Sequence, residues 1–223
     1  MQAKTDTLAS LDIGLLLYPG VQRAAVHGLA DLFLVANRVV AELGAVELPH
    51  IRVSFWQADE AGQLLPAPDS PAVAASGLRV LVIPPSLESA PQAELLERHR
   101  ASLCQLHGHG TVLASVCIGV FFIAASGLLD GRPACTHWNY VQALAQRFPK
   151  VRVESQQPLL DDGDIVTSAG LWPGLTWACA CWSVFWGLRW HGRLPAISPS
   201  TRSRHRCLGL CSIRVWTTVT RRC

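Results

Sequence analysis

A doubly wound α/β domain, one parallel sheet covered by helices on both faces, is the fold class this sequence predicts, and three observations predict it. Continuous apolar runs recur over residues 12–18, 78–84 and 112–118. Each is too short for a helix and lacks alternation, as strands buried on both faces do. Between them lie segments of helical length with apolar residues on one face. Proline and glycine punctuate the joints, and an apolar content of 50% in 223 residues is ample for a core.

Taken in order, residues 1–11 are polar and short, expected to be a disordered start, and lack the apolar stretch of a secretory signal. DIGLLLY over 12–18 is the first buried strand, turned by Pro19 and Gly20. A helix follows over 22–43, with Ala25, Leu29, Leu32, Phe33, Ala36 and Val39 or Val40 on one face. Residues 50–57 alternate as a strand, with Ile51, Val53 and Phe55 on one side. The stretch 63–77, rich in Pro, Ala and Ser, is loop or short hairpin. RVLVIPP closes the next buried strand with two prolines, and a helix within 86–107 leads through Gly108 and Gly110 into the third. Beyond it, 138–148 reads as a short helix and 151–154 as a strand. Asp161, Asp162, Gly163 and Asp164 turn the chain between two further strand-like pieces. Ligands of such sheets sit beyond the carboxyl ends of the strands, and Tyr18, Pro84 and Cys117 all fall there.

The joint over 111–130, TVLASVCIGVFFIAASGLLD, carries the candidate chemistry. Cys117 closes the strand, Gly119 suits a turn with no room for a β-carbon, and 120–129 reads as a helix apolar nearly all round, closed by Gly127. Strand, cysteine and helix in this order make an elbow. It aims a thiol at a helix N-terminus, whose partial positive charge favours the thiolate and lowers its pKa. The same pattern suits a plain core cysteine, because free cysteine is among the most buried residue types. His27, His107 and His109 have no ligating spacing, and three acids around Gly163 suit a solvated turn better than a calcium site. No glycine-rich phosphate loop occurs, so neither metal nor cofactor is expected.

Charge divides the chain at Leu171. All sixteen acidic residues, both lysines and nine arginines precede it, for a net −5. From Leu171 onward eight arginines stand without any acid, giving +8, beside six of the eight tryptophans and five of the eight cysteines. Nucleic-acid binding through the arginines of 202–206 matches no recognised motif. Zinc held by Cys179, Cys181, Cys207 and Cys211 with His191 and His205 would use C-x-C and C-x-x-x-C spacings, not the usual paired C-x-x-C. A membrane helix over 171–188 would be at the lower edge of a span. The fourth account is a slipped reading frame, which the genetic code tests. Shifted back by one nucleotide, every Trp or Cys codon becomes xTG, so positions 172, 177, 179, 181, 182 and 186 turn aliphatic and 178 and 187 become glycine. One permitted restoration, MAWTDLGLRLLERFLGLTVAWQTARY, is an amphipathic helix, and the far end can be restored as LDHGDAAV. A slipped frame is therefore the expectation, with an aberrant helix over 171–190 and a disordered tail over 191–223.

LLLYPGVQ, LVIPPSLE, ASVCIGVFFIAASGLLDGRPACTHW and VRVESQQPLLDDGDIVTSAG together resemble the amino-terminal domain of AraC-type transcriptional regulators of the ThiJ/PfpI, or class I glutamine amidotransferase-like, superfamily. The likeness runs over 12–170, and the restored peptides resemble the family's next helix and linker. The resemblance implies a flavodoxin-like sandwich over 12–190, a cytoplasmic ligand sensor and dimerisation module. In the intact family form a helix-turn-helix domain follows. This chain is expected to lack it, so specific DNA binding belongs only to the intact form. A small metabolite near Cys117, Ile118, Gly119, Tyr18, Pro84, Pro85, Ser86 and His137 is implied, together with a homodimer and no membrane. The superfamily's enzymes pair the elbow cysteine with a carboxylate near the first helix and often with a histidine beside the nucleophile. Here Ala25 stands at the acid's position, Asp31 lies one to two turns further on, and Ile118 follows the cysteine. A thiol without a neighbouring base or acid has no proton route, so catalysis is expected to be lost and the pocket retained. The alternative is a cysteine hydrolase or hydratase using Cys117, with His137 approaching from another strand end. Otherwise His137 orders the turn into the helix at Trp138. The scattered, odd set of Cys104, Cys117 and Cys135 suits a reducing compartment.

Overall fold

The computed structural model describes residues 10–42, 49–71 and 73–170, all within the unit Met1–Trp172. In chain order these form β1 (Ser10–Leu17), α1 (Arg23–Glu42), β2 (His50–Ala58), β3 (Leu64–Pro66), β4 (Val80–Ile83), α2 (Ala93–Gly108), β5 (Val112–Val116), α3 (Val120–Ala125), β6 (Pro133–Ala134), α4 (Val141–Arg147), β7 (Arg152–Val153), β8 (Leu159–Asp161) and β9 (Ile165–Ser168). The frame slip, aberrant helix, tail, zinc, nucleic-acid and membrane readings of 171–223 fall outside the described residues.

The main sheet has the order β3-β2-β1-β4-β5-β9-β8. Its five central strands are parallel, and β3 and β8 close the edges antiparallel. Numbered along the chain, the parallel strands run 2-1-3-4-5, the flavodoxin-like order. Both faces are covered, so β4 is buried along its whole length and β1 from Leu11 to Leu16. This is why those runs are continuously apolar. In β2 the expected alternation fails: Ser54 and Trp56 are sealed while Val53 and Phe55 are half-buried. Trp56 lies across Gly14 of β1, where a β-carbon would stand 2.7 Å from its Cδ1, and its Nε1 donates to Ser54 Oγ at 2.8 Å.

By length and composition α1 could cross a membrane, yet it lies on the sheet with Ala25, Val26, Leu29 and Phe33 buried. Asn37 clamps it there. Its Nδ2 donates to Ile51 O at 2.7 Å, and the Ile51 N–H donates to Asn37 Oδ1 at 2.8 Å.

Some boundaries differ from expectation. β1 begins at Ser10, inside the stretch expected to be disordered, because Ser10 and Leu11 pair with His50 and Ile51. α3 stops at Ala125 rather than 129, since Ser126 Oγ donates back to Ile123 O at 2.6 Å and Gly127 adopts φ +82. The strand expected over 151–154 joins only β6, outside the main sheet.

Candidate functional site

The chain turns out of β5 at Cys117 with φ +55, the single non-glycine residue of positive φ among the described residues. Such a conformation costs about 1–3 kcal/mol and persists where surroundings impose it. Gly119, by contrast, has ordinary helical dihedrals. It must be glycine because a β-carbon there would collide with the carbonyl oxygen of Ile83 at the end of β4. The absence of a side chain was foreseeable from the turn; its cause is the close approach of a neighbouring strand.

The three strand ends meet as the topology requires. Tyr18 follows β1, and its hydroxyl donates to Pro84 O, beyond β4, at 2.6 Å. The Gln22 N–H donates to Pro85 O at 2.9 Å, Val21 bridges to Ser86, and Ser86 Oγ donates to Gly20 O at 2.5 Å. Thr136 Oγ1 donates to Cys117 O at 2.8 Å, bringing the segment after β6 over the elbow. Six of the eight residues implied for the ligand, Cys117, Ile118, Gly119, Tyr18, Pro84 and Pro85, are buried, and Ser86 and His137 are partly exposed.

The electrostatics reverse one expectation. The backbone amides of Ile118 and His137 favour the thiolate, but burial outweighs them and the thiol is pushed up to about 11. A six-residue α3 does not offset complete burial. Tyr18 is displaced far above the usual phenol range, first by burial, then by the nearby Cys117 and Glu88. His137 meets the sulfur through its backbone. Its ring Nδ1 accepts the Asn139 N–H at 3.4 Å, capping the 3-10 turn Trp138–Tyr140, and its ring lies against Trp138, which is 75% exposed. Ala25 is buried, and Asp31 is exposed on α1.

Sequence reasoning missed Glu88, whose carboxylate packs against Gly20, Tyr140, whose hydroxyl donates to Glu88 O at 3.5 Å, and Thr136. Only their tertiary neighbours mark them. It also missed an open cleft of about 660 Å³ at the carboxyl ends of β1 and β2, whose lining shares Tyr18 with the elbow set but not Cys117. The acids around Gly163 are engaged by the protein itself. Arg132 Nε donates to Asp162 Oδ2 at 2.6 Å and its NH2 group pairs with Asp164, while His107 Nε2 lies 2.7 Å from Asp164 Oδ2.

No family model matches the chain. A Streptomyces lividans protein described only as uncharacterized in the cpoL 5′ region is 34% identical over 141 residues, 60% of this chain and 92% of that one. The crystal structure of a ThiJ/PfpI family protein from Pseudomonas syringae superposes with a TM-score of 0.50 at 19% identity, over 91% of this chain and 84% of that one. That of an AraC family transcriptional regulator from Pseudomonas putida superposes with a TM-score of 0.55 at 18% identity, over 80% and 90%. The chain shares the flavodoxin-like fold of these two structures. Other matches are the HTH-type transcriptional regulator CdhR of Pseudomonas aeruginosa, 37% identical over 68 residues, and isonitrile hydratase of Pseudomonas putida, 27% identical over 172 residues. The match to CdhR covers 30% of this chain and a fifth of the regulator; that to the hydratase covers 76% and 69%.

Proposed function

We propose that this domain is of the ThiJ/PfpI type and serves as a non-catalytic, cytoplasmic ligand-sensing and dimerisation module of an AraC-type regulator. In this reading a small metabolite is held at the rim of the elbow by Ser86 and His137, over Tyr18, Pro84, Pro85, Cys117, Ile118 and Gly119. One observation carries the proposed loss of catalysis: the elbow thiol is completely buried, which pushes it up to about 11. At neutral pH roughly one such thiol in ten thousand is ionised, and the thiolate is the nucleophile. The first-helix position that would hold an acid is Ala25, and the His137 ring is committed to its own turn. Iodoacetamide at neutral pH is expected to leave Cys117 of the native protein unlabelled until denaturant is added, and isonitrile hydration is expected to be undetectable. Full native labelling together with turnover that disappears in Cys117→Ala would overturn the proposal.

A second reading, a cysteine hydratase or hydrolase, is favoured by the strained φ of Cys117 and by the backbone amides of Ile118 and His137, which favour its thiolate. Likeness to isonitrile hydratase over 69% of that enzyme supports it too. Its acid would be Glu88, so Glu88→Gln should abolish turnover while leaving the fold intact.

A further inference from the structure

The outward face of α1 is both apolar and exposed. Leu34, Val35 and Val39 stand 59%, 50% and 44% exposed on a helix apolar enough to cross a membrane. Single apolar side chains are common on a surface, whereas a run of them along one helix marks an interaction face. The exposed positions recur with a period of seven. Ala24, Asp31 and Arg38 form one row, and His27 with Gly28, Leu34 with Val35, and Ala41 with Glu42 form the alternate one. This is the spacing of a seam between two helices. The seam is also its own complement. Turned about a twofold axis between Leu34 and Val35, Asp31 falls opposite Arg38, His27 opposite Glu42 and Gly28 opposite Ala41. None of the four polar side chains has an ion-pair partner among the described residues. Asp31 and Arg38 lie about 10 Å apart along the helix axis, so the two pairs flank the apolar centre. Other occupants fit less well. A parallel copy would set Asp31 against Asp31 and Arg38 against Arg38, and the chain beyond Gly170 has no acidic side chain to offer Arg38.

We propose that this face binds a second copy of the chain, the two α1 helices packing antiparallel with Leu34 and Val35 at the centre and reciprocal Asp31–Arg38 pairs on either side. The inference rests on the self-association in the sensing reading and names its surface; it holds whether or not Cys117 is catalytic. α1 begins directly after Gln22, whose N–H donates to Pro85 O, so the interface helix is anchored at the rim of the elbow.

Sedimentation equilibrium of the full chain and of two charge reversals tests it. The unaltered chain is expected to be a dimer. Asp31→Arg alone sets arginine against arginine across the seam, and Arg38→Asp alone sets aspartate against aspartate. Each should weaken self-association by about tenfold or more. An equimolar mixture of the two variants should recover the original affinity, because their faces are then opposite in charge, and a misfolded variant could not do this. A dimer that neither reversal weakens would overturn the α1 assignment and leave the sensing reading standing, as would variants that weaken but do not recover on mixing. A monomer at all concentrations would remove self-association together with its surface, and protection of Cys117 from iodoacetamide would then decide the non-catalytic part of the reading separately.

Discussion

Cys117 illustrates how one residue's surroundings decide between opposed effects. Two backbone N–H groups pull its pKa down, burial pushes it up, and burial prevails because no water reaches the sulfur. The sign for stability follows from proton binding. Between the ordinary thiol value of 9.0 and about 11, the unfolded chain has lost this proton while the folded chain keeps it. Stability must therefore fall as pH rises through that window. Urea unfolding followed at increasing alkaline pH should show the decline, and Cys117→Ala should flatten it only in part, since Cys135 and Tyr18 are also raised. An unchanged slope in Cys117→Ala would show that the thiol is not the titrating group. The elbow itself was legible in the sequence, because SVCIG followed by an apolar run is a local pattern. The state of its thiol was not, because Tyr18, Pro84 and Thr136 come from distant segments.

At the scale of elements, two polar clamps set how pieces of secondary structure meet. Asn37 of α1 exchanges two hydrogen bonds with Ile51 of β2, so Asn37→Ala leaves a backbone donor and acceptor unpaired at the helix–sheet junction. A loss of about 1–3 kcal/mol in denaturant unfolding is expected, without a change in m-value. Arg132 holds the turn between β8 and β9. Chiefly through its hydrogen bond, the Asp164 carboxyl is lowered from 3.8 to about 2. A lowered carboxyl contributes stability above its unfolded pKa and loses it as pH falls through the folded one, so this contribution fades between about 3.8 and 2. With half of the Asp164 side chain exposed, solvent screening limits the effect. Arg132→Ala should cost under about 1 kcal/mol near neutral pH, less at high salt, and nearly nothing at the acid end of that window. Neither clamp has a signature in local sequence. Asn37 sits inside an apolar helical pattern, and Arg132 lies thirty residues from its acids.

For the whole molecule, the proposed sensing role includes self-association, so sedimentation equilibrium should give twice the chain mass, and a monomer at all concentrations would remove that half of the proposal. That buried strands alternate with covering helices could be anticipated from residues alone, since a strand covered on both faces must be apolar at every position whatever its neighbours are. The joint after β5 was equally plain, and so was the change of charge at Leu171. Strand pairing partners at the antiparallel edges, the inverted phase of Trp56 over Gly14 and the nearness of Glu88 to Tyr18 were decided only when distant segments packed together. Periodicity along a chain reports how many faces of an element meet the core. Burial of a titratable atom, and the partner it finds or lacks there, depends on side chains contributed from elsewhere in the chain.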